Sequence, residues 1–147
     1  MNSPECRRII QDEMYRLVNE HRANNGRDAL TVSSALENTA YLKSEDMGVN
    51  DYFDHQVDGK FIWEYKDCAD ADAENIALCG WNGTNGKLTE QDCKDLAKSL
   101  FNMWKESTGH NANMLSKKNQ VIGFDLYLID RGNDAYTVYA TQEFRTK

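Results

Sequence analysis

Proline is almost missing from this 147-residue chain: Pro4 is the single example, and no Gly/Ser-rich run, internal repeat or low-complexity block interrupts the rest. Nothing therefore marks a linker, and the length suits one domain over residues 1–147 with a core large enough to stand without metals. Positive charge is also scarce, with 17 Lys and Arg against 24 Asp and Glu and a net charge of −7. A surface built to neutralise phosphate is excluded on that ground, so neither nucleic acid nor an anionic membrane is an expected partner. No apolar run approaches the roughly 20 residues needed to cross a bilayer. The opening Met1-Asn-Ser-Pro-Glu-Cys6 lacks the basic start and apolar stretch of a secretory signal.

The four cysteines, Cys6, Cys68, Cys79 and Cys93, form neither a C-x-x-C pair nor a Cys/His set at zinc-finger spacing. That excludes a structural zinc knot and a thioredoxin-like centre. An even, scattered set fits two disulfides in an oxidising compartment or four buried thiols. Of the three possible connectivities, Cys79 with Cys93 is favoured, because it would staple the Gly/Asn-rich loop between them; Cys6 then falls to Cys68.

Helical spacing appears in Ile9, Ile10, Met14, Leu17 and Val18, and this first helix is expected to end near Gly26. Ser34-Ala-Leu-Glu37 reads as a capping box opening a second helix through Ala40, Tyr41 and Met47, stopped by Gly48. Thr89-Glu-Gln-Asp92 opens a third, with Leu96, Leu100, Phe101 and Trp104 on one face. Beyond residue 119 the period changes. Val121 to Ile129 is apolar at both alternating sets, as in a strand covered on both faces. The turn Arg131-Gly-Asn-Asp134 leads into the β-branched and aromatic run to Phe144, predicting an antiparallel hairpin. Helices followed by a hairpin predict an α+β fold.

Each of the three histidines admits a plain reading. His21, in Asn19-Glu-His-Arg22, sits where a helix C-terminus favours such a residue, and reads as structural. His55 falls in a loop after the second helix. His110 falls just past the third helix, with Gly109 as its C-cap. Two apparent calcium loops fail: the one from Asp54 ends on Tyr65 where a bidentate Glu is required, and Asp70, Asp72 and Glu74 lack the glycine and the closing glutamate. A Ser107, His110 and Glu74 triad can be drawn, but no nucleophile-elbow pattern surrounds Ser107. Asn82-Gly-Thr84 is a glycosylation sequon.

Taken in order, the segments Leu17-Val-Asn-Glu-His-Arg22 with Gly26 and Leu30, Phe53-Asp-His55, Ala73-Glu-Asn-Ile-Ala77, Trp104 to Leu115 and Tyr139-Ala-Thr-Gln-Glu-Phe144 resemble the CAP superfamily of cysteine-rich secretory, antigen 5 and pathogenesis-related proteins. The Trp-x-x-Ser-x-Gly-His-x-x-Asn-Met-Leu pattern, with Gly123 thirteen residues after His110, is similar to its short bacterial branch. The resemblance implies a three-layer α-β-α sandwich around a central antiparallel sheet, and an extracellular protein from which a signal peptide has been removed. It also implies a polar cleft of two histidines and two glutamates. His55, Glu74 and His110 match three of these. The second glutamate falls on Ser107, and the adjacent Glu106 would point about 100° around the helix.

The cleft residues expected are thus His55, Glu74, Glu106, Ser107 and His110. His55 and His110 are the metal candidates, for weak Zn²⁺ binding at about 2.0–2.2 Å with Glu74 assisting. No other cofactor is expected. The function this supports is a binding module for a small ligand, lipid, glycan, peptide or cell-surface protein, rather than an enzyme. The alternative is a zinc-assisted extracellular hydrolase or peptidase using His55, Glu74 and His110. A third possibility is an interaction role in which the cleft is vestigial.

Overall fold

A computed structural model describes residues 4–83 and 88–147. Helix α1 (Pro4–Asn24) begins on the one proline, whose missing N–H costs nothing in a first helical turn. Its buried stripe is Ile10, Met14, Leu17 and Val18, and Gly26 beyond it adopts a φ of 70°, which glycine tolerates. Strand β1 (Thr31–Val32) is too short to carry a sequence pattern. Helix α2 (Ser34–Asn50) is capped by Ser33, whose Oγ accepts from Leu36 N, one residue earlier than the predicted box. Nor does Gly48 stop it: the helix runs on to Asn50 and ends at Asp51 in the left-handed region. The glycine is needed for approach, since a Cβ there would lie 2.6 Å from the Tyr127 ring.

After a 3-10 turn at Ile62–Glu64 comes strand β2 (Ala73–Asn82), then helix α3 (Glu90–Lys105). Here the predicted capping box is present: Asp92 N donates to Thr89 Oγ1 at 3.1 Å and Thr89 N to Asp92 Oδ2 at 3.0 Å. Helix α4 (Thr108–Leu115) follows at once, so Gly109 and His110 lie inside a helix rather than at a C-cap. Strands β3 (Val121–Gly132) and β4 (Ala135–Arg145) form the predicted hairpin. Asn133 and Asp134 both have positive φ, as a type I′ two-residue loop demands.

The sheet order is β1-β3-β4-β2, antiparallel except for the parallel β1–β3 edge. With α2 on one face and α1, α3 and α4 on the other, the fold is the expected α+β three-layer sandwich. Alternation along the strands divides its core in two. Ile122, Phe124, Leu126, Leu128, Val138, Ala140 and Phe144 face α1 and α3 in one apolar cluster that also holds Trp104. Gly123, Asp125, Tyr127, Thr141 and Glu143 occupy the intervening positions and face α2. Backbone meets backbone there, because a Cβ on Gly123 would stand 2.2 Å from the Leu36 carbonyl carbon.

The cysteine expectation is corrected. Cys6 Sγ and Cys93 Sγ, from the first turns of α1 and α3, approach to 2.9 Å, and none of the four cysteines is in a disulfide. Cys79 packs on the α1/α3 side of β2, whereas the Cys68 thiol reaches Thr39 of α2 across the sheet. The pairings Cys79 with Cys93 and Cys6 with Cys68 therefore do not match this fold. Thr84, the acceptor-defining residue of the Asn82 sequon, lies outside the described residues, as does part of the Gly/Asn-rich loop.

Candidate functional site

Strand β2 places Glu74 on the α2 face, and its side chain is 3% exposed. His55, in the loop that follows α2, lays its ring against it: Nδ1–H donates to Glu74 Oε1 at 2.9 Å. That bond, ahead of the opposing effect of burial, holds the imidazole pKa above its ordinary value. It also fixes the ring so that Nε2 is the nitrogen left for the cleft. The loop is anchored from below by Lys43, fully buried on α2, whose Nζ donates to His55 O at 3.1 Å and Tyr52 Oη at 3.2 Å. Burial drives the Lys43 pKa down while Glu74, Asp46 and Glu143 oppose that.

His110 arrives from the other side on α4. Asn75, fully buried on β2, donates through Nδ2 to His110 O at 3.0 Å and to Gln142 Oε1 at 2.9 Å. Asn113 Nδ2 donates to Asn75 Oδ1 at 2.8 Å. These amides clamp α4 to the sheet and bring His110 beside the His55–Glu74 pair. Its Nδ1 shares a 2.9 Å hydrogen bond with Ser107 Oγ, and burial, then the neighbouring His55, lowers its pKa.

The structure pairs His55 with Glu74 and His110 with Ser107, and the two pairs are near enough for His55 to lower the His110 pKa; they form no triad, since the carboxylate serves His55 and the hydroxyl serves His110. Glu106 is not among them. It is exposed at the end of α3 and borders a separate hollow with Trp81, Asp95 and Met103. His21 is held by Asn111 Oδ1 at 2.7 Å and stands edge-on to Phe101, a packing role. Among the described residues no three His, Cys, Asp or Glu side chains converge as a metal-binding group. The donors that fit Zn²⁺ reduce to the outward nitrogens of His55 and His110, with Glu74 behind His55.

In front of His55 opens a cleft of about 540 Å³, bordered by Asp54, Gln56, Asp72 and Glu74 and by Phe61 and Trp63. The two aromatic rings stack at 4.8 Å, 5° from parallel. No lysine or arginine lines it. Sequence reasoning missed this aromatic wall, the buried Lys43 and the fully buried Glu143, which lies directly opposite Glu74 in the β2–β4 register. The run Tyr139-Ala-Thr-Gln-Glu-Phe144 held the clue, a charge at a strand position flanked by buried neighbours.

A layered fold carrying these His–Glu and His–Ser pairs defines a class, and sequence comparison identifies it. The chain belongs to the cysteine-rich secretory protein (CAP) family, whose profile matches residues 15–144. No curated protein matches it significantly by sequence. Among solved structures it is similar to an outer surface protein of Borrelia burgdorferi, with TM-score 0.60 and 17% identity over 90% of each chain. An extracellular SCP-domain protein of Bacillus anthracis gives TM-score 0.60 and 17% identity, covering 95% of this chain and 41% of that one. A cysteine-rich secretory protein of Staphylococcus aureus gives 0.51 and 16%, covering 95% and 40%. This chain spans about two fifths of those last two proteins. At such identities the likeness establishes the fold.

Proposed function

We propose that this protein is a secreted CAP-domain binding module whose ligand seats in the cleft between His55–Glu74 and the Phe61–Trp63 wall. The family, together with relatives described as extracellular and outer-surface proteins, supports the location. The cleft itself carries the binding reading. Its size suits a small ligand or one unit of a longer one, and it combines an aromatic face with oriented polar groups. Carboxylates line it and no lysine or arginine does, which selects against anionic ligands and favours a neutral polar ligand such as a glycan unit. NMR titration with a neutral oligosaccharide and with a short-chain fatty acid separates these chemistries. Shifts at Trp63 and His55 with the sugar, lost in Trp63→Ala, support the reading; saturable binding of the fatty acid at this cleft overturns it.

The second reading, a zinc-assisted hydrolase, is favoured by one observation: Glu74 holds His55 with Nε2 free, and His55 stands near enough to His110 to lower its pKa. Zn²⁺ held by the two imidazoles would supply an activated water. Calorimetry should then show one site, lost in both His55→Ala and His110→Ala. Protons compete for the same lone pairs, and the His55 pKa is raised, so affinity should begin to fall as the pH drops from above 6.5. Affinity flat between pH 8 and 5 rules out imidazole ligation.

A further inference from the structure

Beneath the cleft lies an acid that the binding reading does not use. Glu143 is 0% exposed, and neither of its carboxyl oxygens has a hydrogen-bond partner; Glu74 Oε2 is in the same position. The two residues are directly opposite in the antiparallel β2–β4 register and share a face of the sheet. Glu143 comes within hydrogen-bonding reach of Glu74; two carboxylates so close and shielded from bulk solvent repel, and they become a hydrogen bond only when a proton stands between them. The surrounding charges point the same way. From α2 comes a single buried cation, Lys43, and its Nζ hydrogens go to Tyr52 Oη and His55 O rather than to either acid. Glu74 already has a donor in His55 Nδ1–H, whereas Glu143 has none, so Glu143 is the acid that keeps the proton. Burial first, and then the Glu74 charge, raise its pKa well above the ordinary carboxyl value.

We propose that Glu143 is a neutral carboxylic acid donating to Glu74 Oε2, and thereby the residue that positions Glu74 and holds His55 with Nε2 facing the cleft. The second acid beside this site then comes from β4, not from the end of α3, where Ser107 stands. Its relevance to ligand binding rests on the His55 cleft being the binding site, but the test needs no ligand. Carbon-13 NMR of the glutamate carboxyls at neutral pH should show Glu143 protonated in the wild-type protein; an ionised signal overturns the proposal. Glu143→Gln supplies an N–H in place of the O–H and should leave the His55 nitrogen-15 tautomer pattern unchanged. Glu143→Leu, matched in size but without a donor, should mix the two tautomers. A Gln variant as disturbed as the Leu variant would equally overturn it.

A separate observation carries a second inference. Cys6 and Cys93 are 87 positions apart in sequence, are both buried, and bring their sulfurs to 2.9 Å. We infer that they are the pair this fold oxidises. Each thiol gives up one proton and one electron to a small-molecule disulfide, which leaves as two thiols while the Sγ–Sγ bond forms. After folding in oxidised and reduced glutathione, peptide mapping should show Cys6 joined to Cys93, with Cys68 and Cys79 open to alkylation. The cross-link closes a long loop, so the melting temperature should fall on reduction, roughly by 5–15 °C, and not in Cys6→Ser. All four cysteines alkylated, or Cys79 found in the cross-link, overturns the inference.

Discussion

The two faces of the sheet are built from the same three long strands yet obey different rules. Toward α1 and α3 the strands present Ile122, Phe124, Leu126, Leu128, Val138, Ala140 and Phe144 and join one continuous apolar cluster. Toward α2 the apolar cluster shrinks to Met47, Ile76 and Tyr139, and the buried neighbours are Lys43, Ser44, Glu74, Asp125, Thr141 and Glu143. Burying polar groups is costly unless every one is partnered, so the α2 face is organised by hydrogen bonds. Ser44 Oγ meets Thr141 Oγ1 at 2.8 Å, and Arg7 reaches Asp125 Oδ2 at 3.0 Å. One face supplies non-directional stability, while the other holds oriented groups under the cleft.

The contrast is sharpest if broken from the dry side first. Trp104→Ala removes a 1%-exposed indole and the donor to Ile76 O. It should cost about 3–5 kcal/mol in urea unfolding, with little dependence on pH. A loss below about 1 kcal/mol would mean that this face does not dominate stability. Gly123→Ala acts on the α2 side by sterics, driving a methyl into the Leu36–Glu37 backbone. A loss of about 3 kcal/mol is expected, together with displaced amide signals along α2.

Electrostatics should distinguish the faces next. Burial, ahead of the Leu126 N–H and Arg7 that favour the charged form, pushes the Asp125 pKa up to about 6. The folded state then holds this proton more tightly than the unfolded chain does. The stability it lends is complete below about pH 4 and is lost as the pH rises past 6, up to about 2–3 kcal/mol. Asp125→Asn should flatten that part of the profile; parallel wild-type and variant curves from pH 4 to 7 would refute the assignment. The smallest effect should have the opposite sign. A Cβ on Gly109 meets nothing within 4 Å, so Gly109→Ala should stabilise α4 by about 0.5–1 kcal/mol, a modest rise in melting temperature.

Legibility followed the same division. The stripe of α1, the capping box of α3 and the Asn133-Asp134 hairpin could all be read, because each signal is local and repeats at one element's own period. Strand β2 could not. Its Glu74, Asn75 and Gly80 are poor strand formers in isolation, and they are tolerated because Asn75 finds Gln142 and the His110 carbonyl only in the folded state. His110 was placed beyond a helix end, since nothing local announces that α4 begins with only two residues between it and α3. Glu106 was drawn into the cleft by adjacency in sequence, and the turn between the helices points it elsewhere.

By itself, the sequence determined the helices with clean stripes, the closing hairpin and the family, all of which follow from short-range periodicity or from motifs spaced along the chain. Tertiary structure alone decided which acid stands opposite Glu74, which cysteine meets Cys6, and that Lys43 lies buried beneath His55. Those are contacts between distant segments, set by strand register and helix docking, and a one-residue slip in register would have turned Glu143 to the other face.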